Sequence, residues 1–258
     1  MSDEIRAERH GKALWVTVDR PSARNAMTFD MYERLAAICR QANEDSSVRA
    51  LVLTGAHDAF VAGTDIAQFR DFTQAAQALE YERRMDGWLG AIEDVRVPTI
   101  AAVRGPVVGG GLAIAAACDL RVAAPSARFG VPVARTLGNC FSAANLVRLA
   151  ALVGIGRVKE LVLTARLLDP QEARAIGLVS EVVAGEELLA PRVDELVETL
   201  SSYAPLTLRA TKEALRRIRA RMLPDEASDL VALCYTSADF REGVRAFLER
   251  RKPAWQGI

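Results

Sequence analysis

Histidine and cysteine are scarce in this chain, at 2 and 4 of 258 residues. Cys39, Cys118, Cys140 and Cys234 form no Cys-x-x-Cys pair, so neither a zinc ribbon nor a dithiol motif is spelled and no metal site is expected. They read as the reduced thiols of a cytoplasmic protein. Net charge is lacking too, with 33 Lys+Arg against 33 Asp+Glu. A nucleic-acid protein carries a basic excess to neutralise phosphates, so no nucleic-acid partner is expected; any basic patch must be local, as at Arg216, Arg217, Arg219 and Arg221. Long apolar runs are missing as well. The most apolar stretch, 98–117, is broken by Arg104, Gly105, Pro106 and Gly109 to Gly111, which argues against a membrane helix. The segment up to His10 is polar where a secretory signal needs an apolar region, so neither export nor membrane association is expected.

What is present is an ordinary globular composition, 50% hydrophobic and 26% charged, in a length that suits one large domain, or a domain with an appendage. Ala13 to Val18 is a β-rich run that ends at Asp19-Arg20-Pro21, where proline stops the ladder. Met31, Leu35, Ile38 and Ala42 then form one apolar helical stripe, with Thr28 as its N-cap. The alternation continues: a strand at Arg49 to Thr54, a helix at about Thr73 to Glu93, a strand at Pro98 to Val103, a short helix at Leu112 to Cys118 and a strand at Asp119 to Ala124. Strands alternating with helices predict an α/β layered fold. Beyond Leu146 the pattern turns helical, at Val158 to Thr164, Pro170 to Ile176, Glu186 to Leu200, Leu206 to Met222 and Pro224 to Glu249, with one strand at Leu178 to Val183. Residues 1–200 read as the core and 201–258 as a helical appendage, with Pro205 and Pro224 as first-turn residues.

Two glycine turns draw attention. Gly109-Gly110-Gly111 lies between a strand and an apolar helix, which collects backbone N–H groups at a positive helix end and suits a developing negative charge. No lysine follows, so it is not a phosphate-binding loop of the nucleotide type. The second turn, Ala62-Gly63-Thr64-Asp65, again links a strand to a helix; Asp65 by itself reads as a helix cap. His57 reads as a surface-turn residue, and His10 is further still from any such site.

Taken together the motifs resemble the crotonase superfamily, the enoyl-CoA hydratase/isomerase family. They are Asp19-Arg20-Pro21 with Asn25-Ala26, Ala59-Phe60 with Ala62-Gly63 and Asp65-Ile66, and Gly105 with Gly109-Gly110-Gly111 and Cys118-Asp119. Phe129-Gly130-x-Pro132, Leu163-Thr164, Ala173 with Gly177-Leu178-Val179, and the ending from Glu242-Gly243 through Pro253 extend the match in order over nearly the whole chain. The resemblance implies a spiral of ββα turns with C-terminal helices that assemble trimers, commonly paired into hexamers. It also implies a coenzyme A thioester as substrate, with no separate cofactor. The Thr64 and Gly110 N–H groups would form an oxyanion hole for the thioester enolate, where fixed dipoles lower a barrier most. Arg24, Ala62, Asp65, Ile66 and Ala67 would lie along the coenzyme A, and Tyr235 and Arg250 match positions that touch it in some relatives.

The departure from the family is as informative. The two glutamates of its hydratases correspond to Ala113 and Val133, neither of which can carry a proton. No carboxylate occurs between Asp119 and Glu160. The polar residues left nearby are Arg135, Asn139 and Cys140. They read blandly as a surface arginine, a turn asparagine and a small buried thiol, or functionally as an anion binder, a water holder and a nucleophile or base. The expectation is an acyl-CoA enzyme of divergent reaction: isomerisation, decarboxylation or thioester hydrolysis. A non-catalytic acyl-CoA-binding or assembly subunit is the alternative.

Overall fold

Side-chain alternation along four successive strands explains how the layers form. A computed structural model of the chain describes residues 4–223 and 227–258. In chain order the first half comprises β1 (Ile5–His10), β2 (Ala13–Val18), α1 (Phe29–Ala42), β3 (Ala50–Gly55), α2 (Ala75–Glu93), β4 (Thr99–Val103), β5 (Pro106–Val108), α3 (Gly110–Ala117) and β6 (Leu120–Ala123). The second half comprises β7 (Arg128–Gly130), α4 (Val133–Thr136), α5 (Ala143–Thr164), α6 (Pro170–Ala175), β8 (Glu181–Val182), α7 (Leu189–Ser202), α8 (Pro205–Ala220), α9 (Ser228–Tyr235) and α10 (Ala238–Leu248).

The main sheet has the order β1-β2-β3-β4-β6-β8, parallel except for the β1–β2 pair. Parallel strands are buried on both faces, and here each face has its own apolar cluster. Ala13, Trp15, Ala50, Val52, Ile100 and Ala102 pack against Leu189, Val193 and Val197 of α7. The alternate residues Val16, Val18, Leu51, Leu53, Ala101 and Val103 face the larger core, which also takes in α1, α2 and α3. A second sheet of β5 and β7 sets the floor from which α3 rises.

The α/β alternation expected from the sequence is therefore the architecture; β5, β7 and α4 come in addition to the expected elements, and four further differences have local causes. First, β1 was not legible: it is an edge strand with only Ile5 buried, so it shows no apolar alternation, and its exposed charges suit an edge that must not pair further. Second, α5 begins at Ala143 rather than Val158, and its non-helical Gly154 interrupts the apolar period. Third, the strand expected at Leu178 to Val183 shortens to Glu181–Val182, because Leu178 and Val179 turn back onto Ala173. Fourth, the long last helix divides into α9 and α10 at Ser237, whose side chain accepts the Phe240 N–H at 2.9 Å as a new N-cap. Pro224, expected in a first turn, lies outside the described residues.

Candidate active site

Three segments converge on one cavity of about 470 Å³. The loop after β2 is held by Asn25, which is buried in a left-handed conformation. Its Oδ1 accepts the Arg20 N–H at 2.8 Å, and its Nδ2 donates to the carbonyls of Ala56 at 3.0 Å and Ala59 at 2.7 Å. That anchorage presents Arg24 and Met27 to the second segment: Ala62 N–H donates to Arg24 O, Met27 N–H to Gly63 O and Asp65 N–H to Met27 O. Asp65 caps the turn that follows by accepting the Ala67 N–H at 3.0 Å, and its carboxylate pairs with Arg20 at 2.8 Å. The capping role expected for Asp65 is the one it plays.

The third segment is the glycine turn into α3. A Cβ on Gly111 would collide with the Val61 carbonyl, and one on Gly110 would collide with the Tyr32 hydroxyl while lying 2.9 Å from Thr64 Oγ1 and 3.5 Å from the Thr64 amide nitrogen. Only glycine lets the helix start come this close to residue 64. Among the described residues, neither the Thr64 nor the Gly110 N–H has a hydrogen-bond acceptor in the chain, and both residues line the cavity. The Thr64 hydroxyl is engaged by Tyr32 at 3.0 Å and Tyr81 at 3.4 Å, which holds its rotamer, and Tyr32 stacks on Trp88.

Ala113 and Val133, where the resemblance noted in the sequence would place the two hydratase glutamates, are 3% and 7% exposed and line the cavity. Arg24, Ala62, Asp65, Ile66, Tyr235 and Arg250 line it too, whereas Ala67 is exposed and stands outside the lining. Among the other candidates, Arg135 is exposed on α4 and is not among the residues that line the cavity. Cys140 lines the cavity, but burial first and then the adjacent Cys234 push its thiol well above the usual range. That is the opposite of an activated thiolate. Asn139 donates from Nδ2 to the Tyr235 hydroxyl at 3.1 Å, while its Oδ1 is buried without a partner among the described residues. His57 lies in an exposed left-handed turn, with Nε2 3.4 Å from Asp19.

One residue of the site was missed in the sequence. Glu82 of α2 lines the cavity, is 8% exposed, and accepts the Tyr235 hydroxyl proton at 2.6 Å. Burial raises its pKa to about 7, opposed by the Tyr235 hydrogen bond and assisted by the charge of Asp86. The signal was available: Ala78, Glu82, Met85, Leu89 and Ile92 share the buried helical stripe of α2, so an acid occupies an apolar position.

The model of the family described as Enoyl-CoA hydratase/isomerase matches residues 8–257. The crotonyl-CoA hydratase of Syntrophomonas wolfei is 37% identical over 255 residues, covering 97% of this chain and 96% of that protein. The short-chain-enoyl-CoA hydratase of Clostridium acetobutylicum is 35% identical over 254 residues, covering 95% and 94%. Among solved structures, a methylmalonyl-CoA decarboxylase in complex with 2-nitronate-propionyl-CoA superposes with a TM-score of 0.90 at 25% identity, covering 100% of both chains.

Proposed function

The chain belongs to the enoyl-CoA hydratase/isomerase (crotonase) family and is an acyl-CoA enzyme of that family, and from that premise we propose that it works on the thioester enolate without a glutamate pair. The thioester carbonyl oxygen accepts from the Thr64 and Gly110 N–H groups, and charge that develops on it is stabilised there. Arg24 and Arg250, which line the same cavity, offer cations to the coenzyme A phosphates. The observation that carries this reading is that the Thr64 and Gly110 amides, unpartnered among the described residues, belong to residues lining the same cavity as Ala113 and Val133. Adding water across a double bond needs a base for the water and an acid for the carbon, and neither position can supply one. The named relatives include both hydratases and a decarboxylase, reactions that share the coenzyme A ester while differing in proton chemistry.

The test is Gly110→Val. Its branched Cβ displaces Tyr32 and blocks the carbonyl's approach, so turnover of acyl-CoA substrates falls by about 10²- to 10³-fold, the usual cost of one oxyanion donor. Unchanged turnover in a folded variant removes this site from the reaction.

A further inference from the structure

Among the described residues Glu82, Glu93 and Glu242 have buried acidic side chains, and they divide sharply by company. Glu93 meets two arginines, with Arg148 Nε at 2.8 Å and Arg219 Nη1 at 2.5 Å. Glu242 likewise meets two, Arg245 and Arg251, both at 2.5 Å. Both carboxyls are held below the usual carboxylate range, as suits structural ion pairs. Among the described residues Glu82 has no cation. Its hydrogen-bond partner is the Tyr235 hydroxyl, which in turn accepts from Asn139. A buried acid without a cation is costly, and a purely structural role would be filled more cheaply by an amide or an apolar residue.

Position separates it further. The carboxylates that line the cavity among the described residues are Asp65 and Glu82. Asp65 is committed to Arg20 and to the turn it caps. Glu82 shares the lining with Gly110, Ala113 and Val133, the oxyanion segment and the two vacated acid positions.

We infer that Glu82 is the group that moves protons on the acyl chain, taking over from a different helix the task of the missing glutamates, and that the reaction is a shift of a double bond in an unsaturated acyl-CoA. The inference rests on the oxyanion-hole reading above. The Glu82 carboxylate removes a proton from Cα of a β,γ-unsaturated thioester. The C–H electron pair becomes a dienolate whose oxygen charge is held by the Thr64 and Gly110 N–H groups. The neutral carboxyl then returns the proton to Cγ, leaving the double bond between Cα and Cβ and Glu82 again ionised. Nothing else is consumed, so one proton carrier suffices where hydration needs two. Tyr235 is a positioning residue: its hydroxyl orients the carboxyl and favours the ionised, basic form. The titratable and charged groups around Glu82 are Tyr81 and Asp86 on α2, Tyr32 on α1, Cys140 before α5, and Tyr235 on α9. Asp86 is itself bound to Ser142 and Arg148.

The experiment follows conversion of vinylacetyl-CoA to the conjugated thioester in D2O, with deuterium gain read by mass spectrometry. Wild type, Glu82→Gln, Glu82→Asp and Tyr235→Phe are compared, with folding checked by circular dichroism and thioester binding by calorimetry. The expected result is turnover in wild type, a loss of about 10²- to 10⁴-fold in Glu82→Gln with binding kept, and partial rescue in Glu82→Asp. The rate should rise with pH through one acid limb, and Tyr235→Phe should move that limb upwards, because the hydrogen bond that favours the carboxylate is gone. Turnover in Glu82→Gln equal to wild type, or a limb unmoved by Tyr235→Phe, overturns the assignment while leaving the oxyanion reading intact. If the glutamine variant fails to fold, the limb in wild type and Tyr235→Phe decides. A wild type that binds the thioester but neither isomerises it nor exchanges its protons overturns the enolate reading and this assignment together.

Discussion

Replacing Glu82 by glutamine should stabilise the protein in alkaline solution and leave it nearly unchanged in acid. The native carboxyl titrates at about 7, against the ordinary 4.5 of an exposed glutamate. Between those values the folded state holds a proton that the unfolded state has lost, so the free energy of unfolding declines as pH rises. The contribution is fully present below the lower value and is lost once pH has passed through the upper one. At 1.36 kcal/mol per pKa unit the difference amounts to about 3 kcal/mol, with the side chain buried enough that solvent screening takes little away. Glutamine has nearly the same shape, can still accept from Tyr235, and carries no charge to desolvate. At roughly 2 °C per kcal/mol for a chain of this size, the melting point of Glu82→Gln should exceed that of wild type by about 6 °C above pH 8, closing towards zero near pH 5. Thermal unfolding followed by circular dichroism across a pH series reads this directly. A difference that does not vary with pH, or a glutamine variant less stable than wild type in alkali, would refute the claim that Glu82 is a buried acid without a compensating cation.

Other outcomes are expected. Hydration of crotonyl-CoA, followed by loss of the conjugated thioester absorbance, should be about 10²- to 10⁴-fold slower than for a relative with both glutamates, because Ala113 and Val133 transfer no proton; an equal rate would show that these positions are not where the acid and base belong. Arg148→Ala removes a cation that is bound to Glu93, Asp86 and Asn145 and almost entirely buried, so chemical denaturation should register a loss of about 3–5 kcal/mol. Sedimentation should find a trimer or hexamer rather than a monomer, since Leu206, Leu215, Ile218, Leu230 and Leu233 are each more than half exposed on α8 and α9 in the single chain.

Much of the fold could be read in advance because its signals are local. The β-rich run at Ala13 to Val18, the stripe on α1, and the glycine turn into α3 are each written within a few residues, and backbone sterics and side-chain period translate them into structure. Elements whose stability comes from neighbours were harder. The strand β1 exists through its pairing with β2, and α9 parts from α10 where Ser237 recaps the chain over Tyr235 and Phe240, whose rings pack 4.7 Å apart. Near the C-terminus Phe240 and Val244 are buried in the chain, while Leu223, Leu230, Leu233 and Phe247 are exposed on it.

The same division runs through the site. Composition and motif order by themselves determined the family, the class of fold and the absence of acids at 113 and 133, because these depend on which residues stand at which spacing. The fate of an individual side chain depends on what packs against it from elsewhere in the chain, and that only the tertiary structure decided. Arg135 and Cys140 each allowed a bland and a functional reading; Arg135 is exposed on α4 outside the cavity lining, and Cys140 is half-buried beside a second thiol. Glu82 looked like one more charge on a helix, until residues 153 positions away brought Tyr235 over it and closed it into the cavity away from water. Desolvation, which raises a carboxyl into the range where it can both take and return a proton, is a property of the packed surroundings and has no signature in the residue itself.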